Sequence, residues 1–377
     1  DKIKNLLKNK KNTLILFLSI LSFTYVNVAF YRLAEHGTDR SALILIFLLV
    51  ITYLESLGIL KKDFNKSSFI GYYEKIIILL LLIISLKSFY LIYLTLFFLW
   101  FYQFRFFVFD KKLMYALLNN RLTYIFIFSL SLIISHIFLN TGCFVYPASF
   151  TCIDSLEWAI PVEQVQNMKS WYSLWSKAGA TPVFRTENPE LYLSNFNWVS
   201  QWFKTYFFSK ITDSILVIFL ISLICIILFY GKKNDLNQKY NHIYSPLFIA
   251  LFILFLEWFI NHPSLRYGGY TLFALAFFLP LSIFLDKRYI FSDKLRKNIM
   301  ILIILTFSIF IIKNISRLNA EYNKYKYNIF SYPYFHIDDK AFAMQSRLIK
   351  LKEKNKEKNN SFYLILNFDS VNSLNLK

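Results

Sequence analysis

The sequence predicts an all-α fold: a polytopic membrane helical bundle of about nine spans with one long extracytoplasmic loop. Of its 377 residues, 56% are hydrophobic and 17% are charged, whereas soluble domains carry about 25% charged residues. The apolar residues also form runs close to the roughly 20-residue length that crosses a bilayer. These two observations exclude a soluble enzyme, a disordered chain and a disulfide-stapled secreted domain.

Hydropathy places the predicted spans roughly at 13–30, 43–60, 76–86, 88–104, 123–139, 214–230, 244–260, 270–285 and 298–312. Only Lys87 separates the third span from the fourth, and we interpret this break as a tight hairpin. One long helix followed by an interfacial helix is the alternative, and the choice sets the side of every later segment. The predicted regions are N-terminal transmembrane helices, an extracytoplasmic loop with interfacial helices, C-terminal transmembrane helices and a basic tail, at 1–139, 140–211, 212–315 and 316–377.

Charge indicates the orientation. The net charge is +19, and the bases lie mostly in short segments between apolar runs, where Lys and Arg mark the cytoplasmic side. This pattern favours a cytoplasmic N-terminus, with segment 140–211 outside, and argues against nucleic acid as a partner. An odd number of spans also puts the Lys-rich tail outside. Long segments can be translocated across the membrane despite their positive charge.

Two cysteines fall in the predicted outside loop. Cys143 and Cys152 are nine residues apart around Pro147, and a disulfide between them suits an oxidising compartment. Two reduced structural cysteines are the alternative. The loop contains no His, so it offers too few ligands for a zinc site.

Aromatic residues concentrate in two stretches of that loop, 158–175 and 194–208. Trp and Tyr are typical of helices that lie at headgroup depth, and we favour a pair of anchoring helices. A lid over a lipid-linked substrate, or a platform for a sugar ring, is the functional alternative.

A short loop between the first two predicted spans carries the first candidate chemistry. Glu35 and Asp39 are candidate general bases, and Arg40 can clamp a phosphate through two N–H groups. A solvated turn with internal ion pairs is the alternative. This loop is therefore the predicted catalytic position.

The loop between the seventh and eighth spans carries the second candidate chemistry. Glu257 lies in an apolar run, where an ionised group is costly and usually lines a cavity. Pro263 and the paired glycines that follow Tyr267 allow an irregular turn. Arg266 is suited to an anionic headgroup. The residues predicted to bind substrate are Arg40, Glu257, His262, Arg266 and Tyr267.

Several cofactor motifs are absent from the sequence. It contains no GxxxxGK[ST] loop, no GxGxxG, no HExxH and no CxxC. These motifs build the phosphate and metal sites of motor ATPases, dinucleotide enzymes and metalloproteases. We therefore predict no cofactor and no metal site.

Three segments in this order resemble a known group: Tyr31-Arg-Leu-Ala-Glu-His-Gly-Thr-Asp-Arg40, Thr141-Gly-Cys-Phe-Val-Tyr-Pro-Ala-Ser-Phe-Thr-Cys152 and His262-Pro-Ser-Leu-Arg-Tyr-Gly268. They resemble an uncharacterised family of bacterial polytopic membrane proteins of surface-polysaccharide loci, distantly similar to GT-C glycosyltransferases. The resemblance covers roughly 25–315. It implies the bacterial inner (plasma) membrane, a polyprenyl-phosphate-linked sugar donor and a glycan acceptor.

The resemblance implies a transferase in cell-surface polysaccharide biosynthesis. Asp39 or Glu35 would take the proton from the hydroxyl group of the glycan acceptor. Arg266, with Arg40 or His262, would bind the phosphate leaving group. GT-C enzymes place their catalytic carboxylate in the first outside loop. If the chain begins downstream of that loop, Glu35 and Asp39 belong to a later one. The alternative functions are an O-antigen-type polymerase and a non-enzymatic flippase or scaffold for lipid-linked glycans.

Overall fold

The computed structural model of the chain describes residues 2–9, 12–32, 37–60, 64–105, 110–179, 188–229, 244–288 and 292–325. Within these ranges the regular structure is helical, and the one isolated antiparallel bridge joins Cys143 to Cys152. The all-α prediction is therefore confirmed. Glu35 lies outside the described residues.

The helices are numbered here in chain order. They are α1 (Lys2–Asn9), α2 (Thr13–Ala29), α3 (Asp39–Leu60), α4 (Lys66–Leu86), α5 (Leu94–Gln103), α6 (Lys111–Leu118), α7 (Arg121–Thr141), α8 (Val162–Lys177), α9 (Pro189–Leu193), α10 (Trp198–Phe229), α11 (Ser245–Asn261), α12 (Gly269–Asp286) and α13 (Asp293–Tyr325). A 3₁₀ segment, Ser88–Tyr93, leads into α5.

Six of these helices are long and apolar enough to cross a membrane, namely α3, α4, α7, α10, α12 and α13. Three shorter apolar helical segments accompany them, namely α2, Ser88–Gln103 and α11. Each predicted span falls on one of these nine segments. The number that cross the bilayer, and the direction of each, stay predictions.

The third predicted span is longer than hydropathy indicated. We expected 76–86, but α4 begins at Lys66, where the side chain of Asn65 accepts a hydrogen bond from Ser67 N at 2.9 Å. Hydropathy detects only the apolar part of a helix, and the first turns of α4 are polar. Lys87 ends this helix in extended conformation, so the predicted break at Lys87 is confirmed.

The centre of the bundle is formed by α2, α3 and α12. Two thirds of the apolar window of α3 is buried (67%), against 6% for α7 and 17% for α13. Polar side chains link these central helices to one another and to α10. Thr271 Oγ1 of α12 donates to Leu43 O of α3 at 3.2 Å, and Tyr25 Oη of α2 lies 3.1 Å from Ser214 Oγ of α10. α7 and α13 therefore carry most of their apolar side chains on outward surfaces.

The second aromatic stretch of the loop, predicted at 194–208, is largely continuous with a span. α10 runs from Trp198 without a break through a π-helical segment, Phe203–Ile211, into its apolar part. Its first turns pack against the short loop between α11 and α12. Most of the aromatic residues of this stretch therefore belong to the helix that continues into the span, and Trp198, Trp202 and Tyr206 are buried there.

A disulfide closes the loop after α7, as predicted. Cys143 and Cys152 are bonded, and Phe144 N donates to Thr151 O at 3.2 Å across the hairpin. Gly142 has φ 75°, and a Cβ there would lie 2.4 Å from that of Ala159. The tight turn at Gly142 thus brings the hairpin against the segment that leads to α8.

Contacts divide the chain into two units, Asp1–Phe310 and Ile311–Lys377. The second unit is described as far as Tyr325, and Arg317 Nη1 lies 3.3 Å from Glu321 Oε1 within it. The rest of the predicted basic tail lies outside the described residues.

Candidate functional site

One buried carboxylate binds two cations that come from distant parts of the chain. Oδ1 of Asp39 lies 2.5 Å from Lys87 Nζ, and Oδ2 lies 2.8 Å from Arg266 Nε. The Asp39 side chain is 3% exposed, whereas those of Lys87 and Arg266 are 27% and 31% exposed. The carboxylate therefore holds a pair of partly accessible cations in place. We call Lys87 and Arg266 the cation pair.

Helix ends bring these three residues together. Asp39 is the first residue of α3, where a carboxylate interacts favourably with the helix dipole. Lys87 directly follows α4, and Thr38 Oγ1 donates to Leu86 O at 2.9 Å, which ties the two ends together. Burial lowers the pKa of Lys87, and the hydrogen bond to Asp39 opposes this shift. The carboxylate thus favours the charged form of a lysine that burial would tend to neutralise.

Arg266 lies in a short 3₁₀ turn, Leu265–Tyr267, between α11 and α12. Two tryptophans donate from their indole N–H groups to this loop, Trp202 to Pro263 O and Trp258 to Ser264 O, both at 2.8 Å. Buried backbone carbonyls need such partners. The loop is therefore fixed from two sides, and the position of Arg266 is fixed with it.

Two tyrosines add further contacts to the same turn. Tyr206, in the π-helical segment of α10, accepts from Leu265 N at 2.8 Å, and Tyr90 donates to Arg266 O at 3.2 Å. π-helical segments are frequent at functional sites. Here the segment carries Tyr206, and Trp202 directly precedes it, so that both side chains contact the turn that carries Arg266.

Two aromatic rings border the cation pair. Lys87 Nζ lies 4.5 Å from the centroid of the Tyr267 ring, and Arg266 Cζ lies 5.4 Å from it. Arg266 Cζ also lies 5.5 Å from the ring of Trp175, on α8. We call Trp175 and Tyr267 the aromatic wall. Its ring faces attract the cations and add apolar surface beside them.

His262 lies beside the aromatic wall. Its ring packs edge-to-face on Phe89, with the centroids 5.0 Å apart, and its centroid lies 5.8 Å from that of Tyr267. Burial, with smaller contributions from the nearby charges of Lys177, Lys87 and Lys169, lowers the pKa of His262 to about 4. His262 is therefore neutral at physiological pH and offers one nitrogen donor and one acceptor.

Two other predicted site residues make different contacts. The side chain of Arg40 is buried, donates from Nη1 to Arg32 O, and lies 5.8 Å from the ring of Phe30. Glu257, on α11, accepts from Asn261 at 3.2 Å. Within the part of the chain that the structure describes, Asp39 forms ion pairs with Lys87 and Arg266, and neither Arg40 nor Glu257 takes part in those contacts. Their predicted roles in substrate binding stay predictions.

Sequence reasoning missed two members of this site. The sequence predicts a break between spans at Lys87 but no site role for it, although a lone charge in a long apolar stretch requires a partner. Trp175 was assigned to a membrane-anchoring stretch. The structure brings Trp175 to Arg266.

The arrangement suits a particular ligand chemistry. Two accessible cations beside flat apolar rings fit an anionic group attached to an apolar or sugar moiety.

Neither the curated proteins nor the solved structures include a match to this chain. A family model matches residues 1–273, and its description is Domain of unknown function (DUF8201). The matched range contains Asp39, Lys87, Trp175 and the turn with Arg266, so the whole cluster falls within this domain. The chain belongs to the DUF8201 family.

Proposed function

We propose that this protein is a membrane glycosyltransferase that uses a polyprenyl-phosphate-linked sugar at the outer membrane face, in cell-surface polysaccharide biosynthesis. One observation carries the proposal: Asp39 holds Lys87 and Arg266 beside the aromatic wall at one end of apolar helices. The cation pair supports binding of a phosphate, the aromatic wall supports binding of a sugar, and the carboxylate supports transfer of a proton.

The cation pair supports a phosphate. Asp39 meets Arg266 at Nε, so the Nη edge of the guanidinium can form the paired hydrogen bonds that suit phosphate oxygens. Lys87 adds a second positive charge on the other carboxylate oxygen. In a partly buried site these charges are screened less than in water. They would therefore stabilise the negative charge that grows on a departing phosphate.

The aromatic wall supports a sugar. Trp175 and Tyr267 approach each other with ring centroids 6.1 Å apart at an interplanar angle of 75°. The C–H face of a sugar ring is apolar and packs on such surfaces. His262, neutral beside Tyr267, can hydrogen-bond a sugar hydroxyl.

The proposed reaction moves one sugar to a hydroxyl group. The acceptor oxygen attacks the anomeric carbon, the bond from that carbon to the phosphate oxygen breaks, and polyprenyl phosphate leaves with the electron pair. Asp39 accepts the hydroxyl proton. The incoming phosphate competes with Asp39 for the cation pair, and this competition would free a carboxylate oxygen for its role as base. The lipid carries the activated sugar, so the reaction needs no nucleotide site.

The test compares surface-glycan profiles of the native host. The gene is deleted and then complemented with the wild type, Arg266→Ala, Trp175→Ala or, as a matched control, Arg121→Ala, which lies at the first residue of α7. We expect the deletion to remove one defined sugar, and we expect rescue by the wild type and Arg121→Ala only. Chains that end after one repeat would indicate a polymerase instead. Full rescue by Arg266→Ala in correctly inserted protein would refute the phosphate role.

A further inference from the structure

An apolar surface extends from α7 onto the loop that follows it. We call residues 142–153 the disulfide hairpin. Its large side chains are exposed: Phe144 (46%), Val145 (37%), Phe150 (90%) and Ile153 (38%). Soluble surfaces seldom expose such a group of apolar side chains together. The hairpin therefore presents an apolar surface that the described core of the chain does not cover.

The sequence around the hairpin carries no full charge. No Asp, Glu, Lys or Arg occurs between Arg121 and Asp154. The uncharged stretch covers the outward-facing helix α7, of which only 6% is buried, and continues through the hairpin. Protein-binding surfaces usually have a polar, partly charged rim. An uncharged aromatic surface that continues from a span is typical of the membrane interface.

The backbone of the hairpin is also suited to an apolar environment. Five of its N–H groups donate to carbonyl oxygens within the hairpin, at 2.8–3.2 Å: those of Phe144, Ala148, Thr151, Cys152 and Ile153. Peptide groups in lipid must find partners within the protein. The disulfide and these hydrogen bonds together allow the tip to enter the interface without exposing many free polar groups.

Contacts between the hairpin and α7 make the two surfaces continuous. The ring of Phe138, on α7, stacks on Phe144 with centroids 4.7 Å apart and meets Trp158 edge-to-face at 5.6 Å. Leu139, in the same turn, is 68% exposed. The outward surface of α7 thus passes to the hairpin through an aromatic contact.

We propose that the disulfide hairpin inserts its apolar tip, led by Phe150, into the headgroup and upper acyl region of the bilayer leaflet in which α7 ends. The occupant of this surface is lipid. The residues that flank the hairpin also contact the start of α8, because Ile160 N donates to Thr141 O at 3.2 Å and Val162 N donates to Asp154 Oδ1 at 3.3 Å. A hairpin inserted in this way would also hold the start of α8 close to the membrane surface, and this does not depend on the reaction proposed above.

The test uses the full chain in nanodiscs of phosphatidylethanolamine and phosphatidylglycerol. The photoreactive residue p-benzoylphenylalanine replaces Phe150, and after irradiation the intact mass reports what it has captured. Ile127, 58% exposed on α7, is the lipid-facing control, and Glu190, exposed on α9, is the aqueous control. Val145 provides a second hairpin position in case the Phe150 variant does not fold.

We expect lipid adducts at position 150 in yields comparable to those at position 127, and about tenfold above those at position 190. Adducts with a second copy of the chain would overturn the proposal, as would a lipid yield at position 150 no higher than at position 190. Either result can be obtained without any assay of glycosyl transfer, so the two proposals fail independently.

Discussion

Asp39 and Arg266 are 227 residues apart in the chain, yet Oδ2 of Asp39 lies 2.8 Å from Arg266 Nε. This ion pair, together with Lys87, joins the start of α3 to the turn between α11 and α12. The carboxylate is buried, whereas the cations are partly exposed. Asp39 thus has a structural role that precedes any chemistry, because without it two positive charges would face each other.

We expect Asp39→Asn to lower the free energy of unfolding by about 2–3 kcal/mol. Removing one partner of a fully buried pair costs about 3–5 kcal/mol, and the partly exposed cations keep some of their hydration. Unfolding in mixed detergent micelles measures the change. Asp110→Asn is the control, since it breaks an exposed pair with Lys66 and keeps an oxygen for the Lys112 N–H. An equal loss in both variants would contradict the structural role of Asp39.

Gly269 leaves no room for a side chain. A Cβ there would lie 2.7 Å from Cζ2 of Trp258, whose indole N–H holds the carbonyl of Ser264. We expect Gly269→Ala to displace Trp258 and lower the free energy of unfolding by about 1–3 kcal/mol. At Gly71, in α4, a Cβ meets nothing within 4 Å, so Gly71→Ala should be neutral or slightly stabilising. Equal effects in the same unfolding assay would show that the turn is not packed as described.

His262 should make the protein sensitive to acid. Its pKa is lowered to about 4, chiefly by burial, so the unfolded state binds more protons between about pH 6.5 and pH 4. Stability therefore falls as pH falls through this range, by about 2 kcal/mol between pH 7 and pH 4.5 for this one group. Unfolding free energies of the wild type and His262→Gln at both pH values isolate the effect. A loss of the same size in His262→Gln would refute it.

The disulfide should stabilise the loop by restricting the unfolded chain. Cys143 and Cys152 close a loop with a sequence separation of 9, for which loop-closure entropy predicts about 2.5 kcal/mol. We expect Cys143→Ser/Cys152→Ser to lower the thermal unfolding midpoint. Reductant should lower the midpoint of the wild type but not that of the double variant. A wild-type midpoint that reductant leaves unchanged, with the bond shown to be broken, would contradict this account.

Much of the fold could be predicted from the sequence because a bilayer fixes the length of apolar helices. Hydropathy located each apolar helical segment. It misplaced the start of α4, since polar first turns continue a helix without continuing its hydrophobicity. It also separated an aromatic stretch from α10, although helical backbone joins the two.

The candidate site was only partly predictable. Charge in two loops identified Asp39 and Arg266, and the structure brings them into contact. The roles of Lys87 and Trp175 depend on which helix ends meet in space, and neither composition nor periodicity encodes that pairing. Arg40 was selected as a phosphate-binding cation and Glu257 as an ionised group in an apolar run, but their described contacts lie elsewhere.

The most direct test of the central claim is the binding of polyprenyl phosphate to the purified protein, measured by native mass spectrometry. We expect the wild type and Arg121→Ala to bind the lipid, and Arg266→Ala to bind it at least about tenfold more weakly. Arg266→Lys should fall between them, because it keeps the charge but loses the paired hydrogen bonds. Equal affinity in the wild type and a folded Arg266→Ala would contradict the claim that the cation pair is the phosphate site.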